Sequence, residues 1–199
     1  MTFYQIFLPI ATLAYLLLVF VLRSVILWKQ TGVNPFVFGR TEKAHDYIGI
    51  TYKMIVGSMW ISIGVFSFFQ DQYEYLLPIW YLETEELRII GLVLMALSFL
   101  WTSLAQNQMS HSWRIGINFE ERTDLVNSGL FGYSRNPVFL GVLVSYLSTF
   151  LIIPNALSFA TCIVLFVVIQ IQVRMEEEYL LSVHGDRFLI YKKNVRRWF

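Results

Sequence analysis

Five long apolar runs, at about 3–22, 47–69, 88–105, 138–153 and 156–173, constrain this chain more than any other feature. A bilayer core of about 30 Å takes about 20 apolar residues per helix, and lipid offers the backbone no alternative hydrogen-bond partner. The runs therefore predict an all-α, polytopic membrane protein with about five transmembrane helices in a single domain, 1–199. Residues 1–105 would hold three spans, and 106–199 would hold spans four and five with a cytosolic C-terminal helix. With 56% apolar and only 15% charged residues, the chain leaves no room for a sizeable soluble domain. The first run has no basic leader or small-residue cleavage site and exceeds a signal-peptide core, so it is expected to be retained as a span. The fourth is short: 16 residues rise about 24 Å as a helix, so it needs its flanks, a thinned bilayer or protein neighbours. Pro154-Asn155 then predicts a tight turn that pairs runs four and five as a helical hairpin.

Charge gives the expected orientation. All of the 15 basic residues except Lys53 and Arg88 follow spans one, three or five, while 70–86 carries Asp71, Glu74, Glu83, Glu85 and Glu86 and no Lys or Arg. The positive-inside rule then puts the N-terminus outside and the C-terminus in the cytosol. Lys53, near the start of span two, reads as a side chain that snorkels to the headgroups. A net charge of +1 argues against a nucleic-acid partner. Cys162 lies alone in an apolar run, and His111 and His184 have no second ligand at helical spacing, so no metal site is expected. His45 reads as a loop residue.

Two stretches on the expected cytosolic side could carry chemistry, and the hairpin brings them together. In Asn136-Pro137 the Asn suits an N-cap and the Pro a first helical residue, so a helix should begin there with unpaired N–H groups. Such an end attracts an anion, for instance an amino-acid carboxylate, although the dipeptide also suffices simply to start a helix. Helix five should run past the membrane to a cap at Gly185, placing Glu176, Glu177 and Glu178 at the border. At least one of these carboxylates must face protein or lipid, which is costly without a cationic partner, or the three form a solvated turn paired with Arg174 or Arg187.

These stretches resemble the isoprenylcysteine carboxyl methyltransferase family and, more distantly, the phospholipid methyltransferases. The resemblance rests on Ser112-Trp113-Arg114, Asp124-Leu125-Val126, Ser128-Gly129-Leu130-Phe131, Arg135-Asn136-Pro137 with Phe139 and Gly141, and then Glu176-Glu177, Leu180, Gly185, Tyr191 and Val195-Arg196. It covers about 110–197. It implies S-adenosylmethionine as cofactor, with Thr123, Asp124, Leu125, Val126, Phe131, Arg135, Asn136, Pro137, Val138, Phe139 and Glu176 as its contacts. The chain departs from the family pattern at Asn136 (His in the family), at Phe131 and Phe139 (Tyr), and at Gln172, where a substrate-contacting Arg is expected. Arg174 is the candidate to take over that role, although two positions are about 200° around a helix.

The implied reaction is methyl transfer to a membrane-associated or lipid-like substrate, most simply a carboxylate, at the cytosolic membrane face. A nucleophile needing a base would turn to Glu177. The compact five-span form is similar to prokaryotic members, implying an inner (plasma) membrane location, with the bilayer and a lipophilic or lipidated substrate as partners. The alternatives are a membrane reductase related to the sterol reductases, which share an Arg-His-Pro-like turn and a late acidic cluster, and a non-catalytic membrane module.

Overall fold

The computed structural model describes residues 1–32, 34–35, 44–116 and 124–199. Six helices account for most of them: α1 (Phe3–Thr31), α2 (Ala44–Phe68), α3 (Glu85–Met109), α4 (Pro137–Ile152), α5 (Ala156–His184) and α6 (Asp186–Asn194). Four helical segments, Phe3–Thr31, Asp46–Phe68, Glu85–Met109 and Ala156–His184, are long and apolar enough to cross a bilayer, and α4 is the shorter apolar fifth. The chain is an all-helical polytopic membrane protein, as the apolar runs predict.

Helix ends fall where the breakers are, not where hydropathy drops. α1 continues nine residues past its apolar run, because 23–31 contains no breaker, and stops at Gly32 with φ 72°. α5 likewise continues to His184 and ends at Gly185, φ 52°, as expected. The acidic connection before α3 forms two 3₁₀ turns, Gln70–Leu76 and Trp80–Leu82, and the Thr84 hydroxyl then caps α3 by accepting from the Leu87 N–H at 3.3 Å.

α4 solves its length problem by packing against α3. A Cβ placed on Gly141 would lie 2.1 Å from Thr102 Oγ1, and one on Gly91 would lie 2.7 Å from Ile152 Cγ1 and 2.8 Å from the Ser148 carbonyl oxygen. Two glycines thus let the backbones approach, the usual way that helices gain contact in lipid. Across the bundle, Ile48 and Ile55 of α2 pack on Leu165, Val168, Ile169 and Val173 of α5.

Both ends of the α4–α5 hairpin are tied down. At one end the fully buried Asn155 caps α5, its side chain accepting from the Ser158 N–H at 2.9 Å, and donates its amide to Ser62 Oγ of α2 at 2.9 Å. Ile79 N–H donates to the Pro154 carbonyl there, and Ala156 N–H to that of Leu77. At the other end the C-terminal tail lies across the start of α4: Arg135 N–H donates to the Arg196 carbonyl at 3.0 Å, and Ser134 Oγ and Asn136 Nδ2 both donate to the Arg197 carbonyl at 3.2 Å. Glu177 of α5 fastens this arrangement. Its Oε1 lies 2.9 Å from Arg135 Nη2, and its Oε2 lies 2.8 Å from Arg197 Nη2.

Two outcomes are expected from thermal unfolding in detergent. Gly141→Ala and Gly91→Ala should each cost about 1–3 kcal/mol by forcing α3 and α4 apart, whereas Gly64→Ala, with nothing within 4 Å of the added Cβ, should be neutral or stabilising. Glu177→Gln should cost about 3–5 kcal/mol, since it leaves two guanidinium groups without their counter-charge. Arg197→Ala should cost less, because that side chain is 27% exposed and Arg135 keeps the carboxylate paired.

Candidate active site

Residues of α1, α2, α4 and α5, with Met95 and Met109 of α3 and Phe188 and Tyr191 of α6, line a cavity of ≈ 610 Å³. A volume of this order takes a nucleoside-sized ligand with space to spare. The cavity opens on a polar wall made by Arg114, Asp124, Arg135, Asn136 and Glu176. It then runs down α4 from Asn136 to Thr149, about 20 Å at the helical rise, between apolar side chains such as Val56, Ile63, Leu165 and Ile169.

Most of the residues expected from the sequence meet here. Asp124, Leu125, Val126, Phe131, Arg135, Asn136, Pro137, Val138, Phe139, Gln172, Glu176 and Glu177 all line the cavity. Thr123 lies outside the described residues. Arg174 lies elsewhere. It is exposed and donates to its own helix, to the Gln170 carbonyl at 2.6 Å and to Gln170 Oε1 at 3.0 Å. The two-residue offset from Gln172 turns it off the cavity face, as helical geometry requires.

Local sequence explains the polar wall. Gly129, at φ 63°, brings the backbone so close to Gln108 that a Cβ would lie 2.6 Å from its amide, and Gln108 Oε1 accepts from the Leu130 N–H at 2.8 Å. This fixes the turn that presents Phe131. Tyr191 of α6 donates its hydroxyl to the Phe131 carbonyl at 2.7 Å, and burial pushes that phenol up to about 12, so it stays a donor. Pro137 occupies the first turn of α4 as predicted, but Asn136 does not cap it. Its amide is turned to the tail, and the N–H groups of Val138 and Phe139 are left as the uncapped donors of the first turn, on residues that line the cavity.

The acids divide by role. Glu177 accepts from both Arg135 and Arg197 through Oε1 and from Arg197 through Oε2. With both oxygens engaged by guanidinium groups it suits the role of a base poorly and that of a structural counter-ion well. Glu176 makes no such bonds. It faces the cavity half-buried, with Arg114 and Tyr52 close enough to interact electrostatically.

One residue, Arg197, escaped the sequence reading. Arg197 counted there only as one of a basic tail, and its pairing with Glu177 needs the chain to fold back from 197 to 177. Trp113 lines the cavity with its indole N–H buried and unpartnered, and the Gln172 amide oxygen is in the same state. A buried donor and a buried acceptor without partners on the wall of one cavity suit a polar ligand.

The phospholipid methyltransferase family profile matches residues 87–187, half of the chain, which include every described polar-wall residue. A protein-S-isoprenylcysteine O-methyltransferase of Saccharomyces cerevisiae is 28% identical over 117 residues, 57% of this chain and 49% of the yeast protein. The chain thus matches about half the length of that relative. On the profile match, the chain belongs to the phospholipid methyltransferase family, membrane methyltransferases that use S-adenosylmethionine.

Proposed function

We propose that this chain transfers a methyl group from S-adenosylmethionine to a lipid-like substrate, most simply its carboxylate, at the cytosolic face of the membrane. One observation carries the reading: a single cavity, about 20 Å long, joins an uncapped helix start and a free-facing carboxylate at its polar end to an apolar compartment beyond. A water-soluble cofactor and a membrane-embedded substrate can meet only where such surfaces are continuous. The excess of Lys and Arg at the polar end supports the cytosolic assignment.

The residues present fit the cofactor. The first-turn N–H groups of Val138 and Phe139, at the positive end of α4, suit its carboxylate, and Glu176 suits its ammonium or a ribose hydroxyl. Leu125, Val126, Phe131 and Phe139 supply apolar walls. Bound there, S-adenosylmethionine offers an electrophilic methyl on a sulfonium centre for in-line transfer. The protein's own contribution is alignment and exclusion of water, and good orientation can supply up to about 7–11 kcal/mol. Glu177 is committed to two arginines, so the polar wall favours a nucleophile that is already ionised. A carboxylate attacking a sulfonium loses charge on the way to the transition state, which a dry cavity promotes.

Calorimetric titration of the detergent-solubilised protein with S-adenosylhomocysteine tests this reading. Wild type should bind, Glu176→Ala should bind about tenfold or more weakly through loss of a charged hydrogen bond, and Arg174→Ala should stay within about twofold, as expected of an exposed side chain. A folded wild type that ignores S-adenosylhomocysteine but binds a reduced nicotinamide cofactor would replace the methyltransferase reading with a reductase, and one that binds neither would leave a non-catalytic module.

A further inference from the structure

Lys53 lies on the cavity wall, on the face of α2 that also presents Tyr52, Val56, Trp60 and Ile63 at helical spacing. Its ammonium makes no hydrogen bond or ion pair with any described residue. The other cations of the wall have company: Arg135 is paired with Glu177, and Arg114 interacts with Glu176. Lys53 is exposed at the rim of this wall, and a cation that borders an apolar slot without a protein counter-ion can take its counter-charge from a ligand.

The surroundings indicate what the ligand is. Tyr52, the neighbour of Lys53, interacts electrostatically with Glu176, so this part of α2 faces the cofactor end of the cavity. Below Lys53 the wall turns apolar through Val56, Trp60 and Ile63, ten residues or about 15 Å along the helix. Gln172, only 2% exposed, adds an unpartnered amide oxygen from the α5 side, an acceptor that suits a protonated or N–H part of a ligand and not its anionic oxygens. A cation at the head of a long apolar slot matches an amphiphile with an anionic head and one apolar chain.

We infer that Lys53 is the residue that binds and positions the anionic head group of the substrate, supplying from α2 the positive charge that Gln172 does not supply from α5. The inference rests on the methyltransferase reading for the word substrate, but the binding it describes needs no cofactor. The shared chemistry is an acidic oxygen group on an apolar chain, and a carboxylate and a phosphate are its two sources.

The test uses the full chain in nanodiscs. Dodecanoate, dodecyl phosphate and dodecanol, each brominated at the chain end, are titrated while quenching of Trp60 is followed, with Trp60→Phe identifying the signal. Lys53→Gln should weaken at least one anionic probe about tenfold, Lys53→Arg should restore it, and dodecanol should bind all three proteins alike. Whichever anion loses more identifies the head group as carboxylate or phosphate. In turnover with that class of substrate, Lys53→Gln should raise KM about tenfold with little change in kcat, the mark of lost binding rather than lost chemistry. Equal binding of every probe to wild type and Lys53→Gln, with S-adenosylhomocysteine affinity intact in both, would overturn the inference and leave Lys53 a snorkelling side chain. Failure of wild type to bind S-adenosylhomocysteine would instead overturn the methyltransferase reading, and the amphiphile titration would still decide the role of Lys53.

Discussion

Glu177 joins three separate parts of the chain. Its carboxylate comes from α5, one guanidinium comes from the turn before α4, and the other comes from the tail beyond α6. A carboxylate this buried is tolerable only when its charge is compensated and its oxygens are hydrogen-bonded, and two arginines do both. Arg135 extends the arrangement by donating to the carbonyls of Lys192 and Val195, so the same ion that pairs with α5 also seats the tail. The tail, the start of α4 and the end of α5 therefore hold their positions together.

The short helix α4 gains a use from this arrangement. At 16 residues it falls short of a bilayer, and its polar N-terminal end is surrounded by protein. That end is covered by the tail and left uncapped by its own Asn136, so the first-turn N–H groups stay without a side-chain cap on residues that line the cavity. The close contact at Gly91 and Gly141 fixes α4 on α3, while the cavity runs along its other side toward α2 and α5. One helix thereby borders both a polar chamber and an apolar slot.

Much of this was readable from the residues. Apolar runs gave the helices, because only helices satisfy a backbone in lipid. Gly185 and Pro137 gave their local ends, because their backbone preferences need no tertiary context. For Asn136 and Glu177 the structure departs from the local reading because a distant segment intervenes. Asn136 looks like a cap in isolation, but the Arg197 carbonyl competes for its amide. Glu177 reads as a candidate base or as part of a solvated turn paired with Arg174 or Arg187, yet its partners come from 42 residues earlier and 20 residues later in the chain. Arg174 has the right chemistry and the wrong helical phase. Lys53 looks like any lysine near a helix end, and only the course of the cavity distinguishes it.

The two ends of the hairpin are tied with different kinds of bond. At Asn155 the ties are neutral amide and hydroxyl contacts with no solvent exposure, and these respond little to ionic strength or pH. At Glu177 the ties are charge pairs, one of them to a partly exposed arginine, and mobile ions can compete for such a pair. The bundle is thus clamped like tongs at a dry pivot and latched electrostatically at the jaws. A rise in ionic strength therefore acts on the latch before it reaches the pivot.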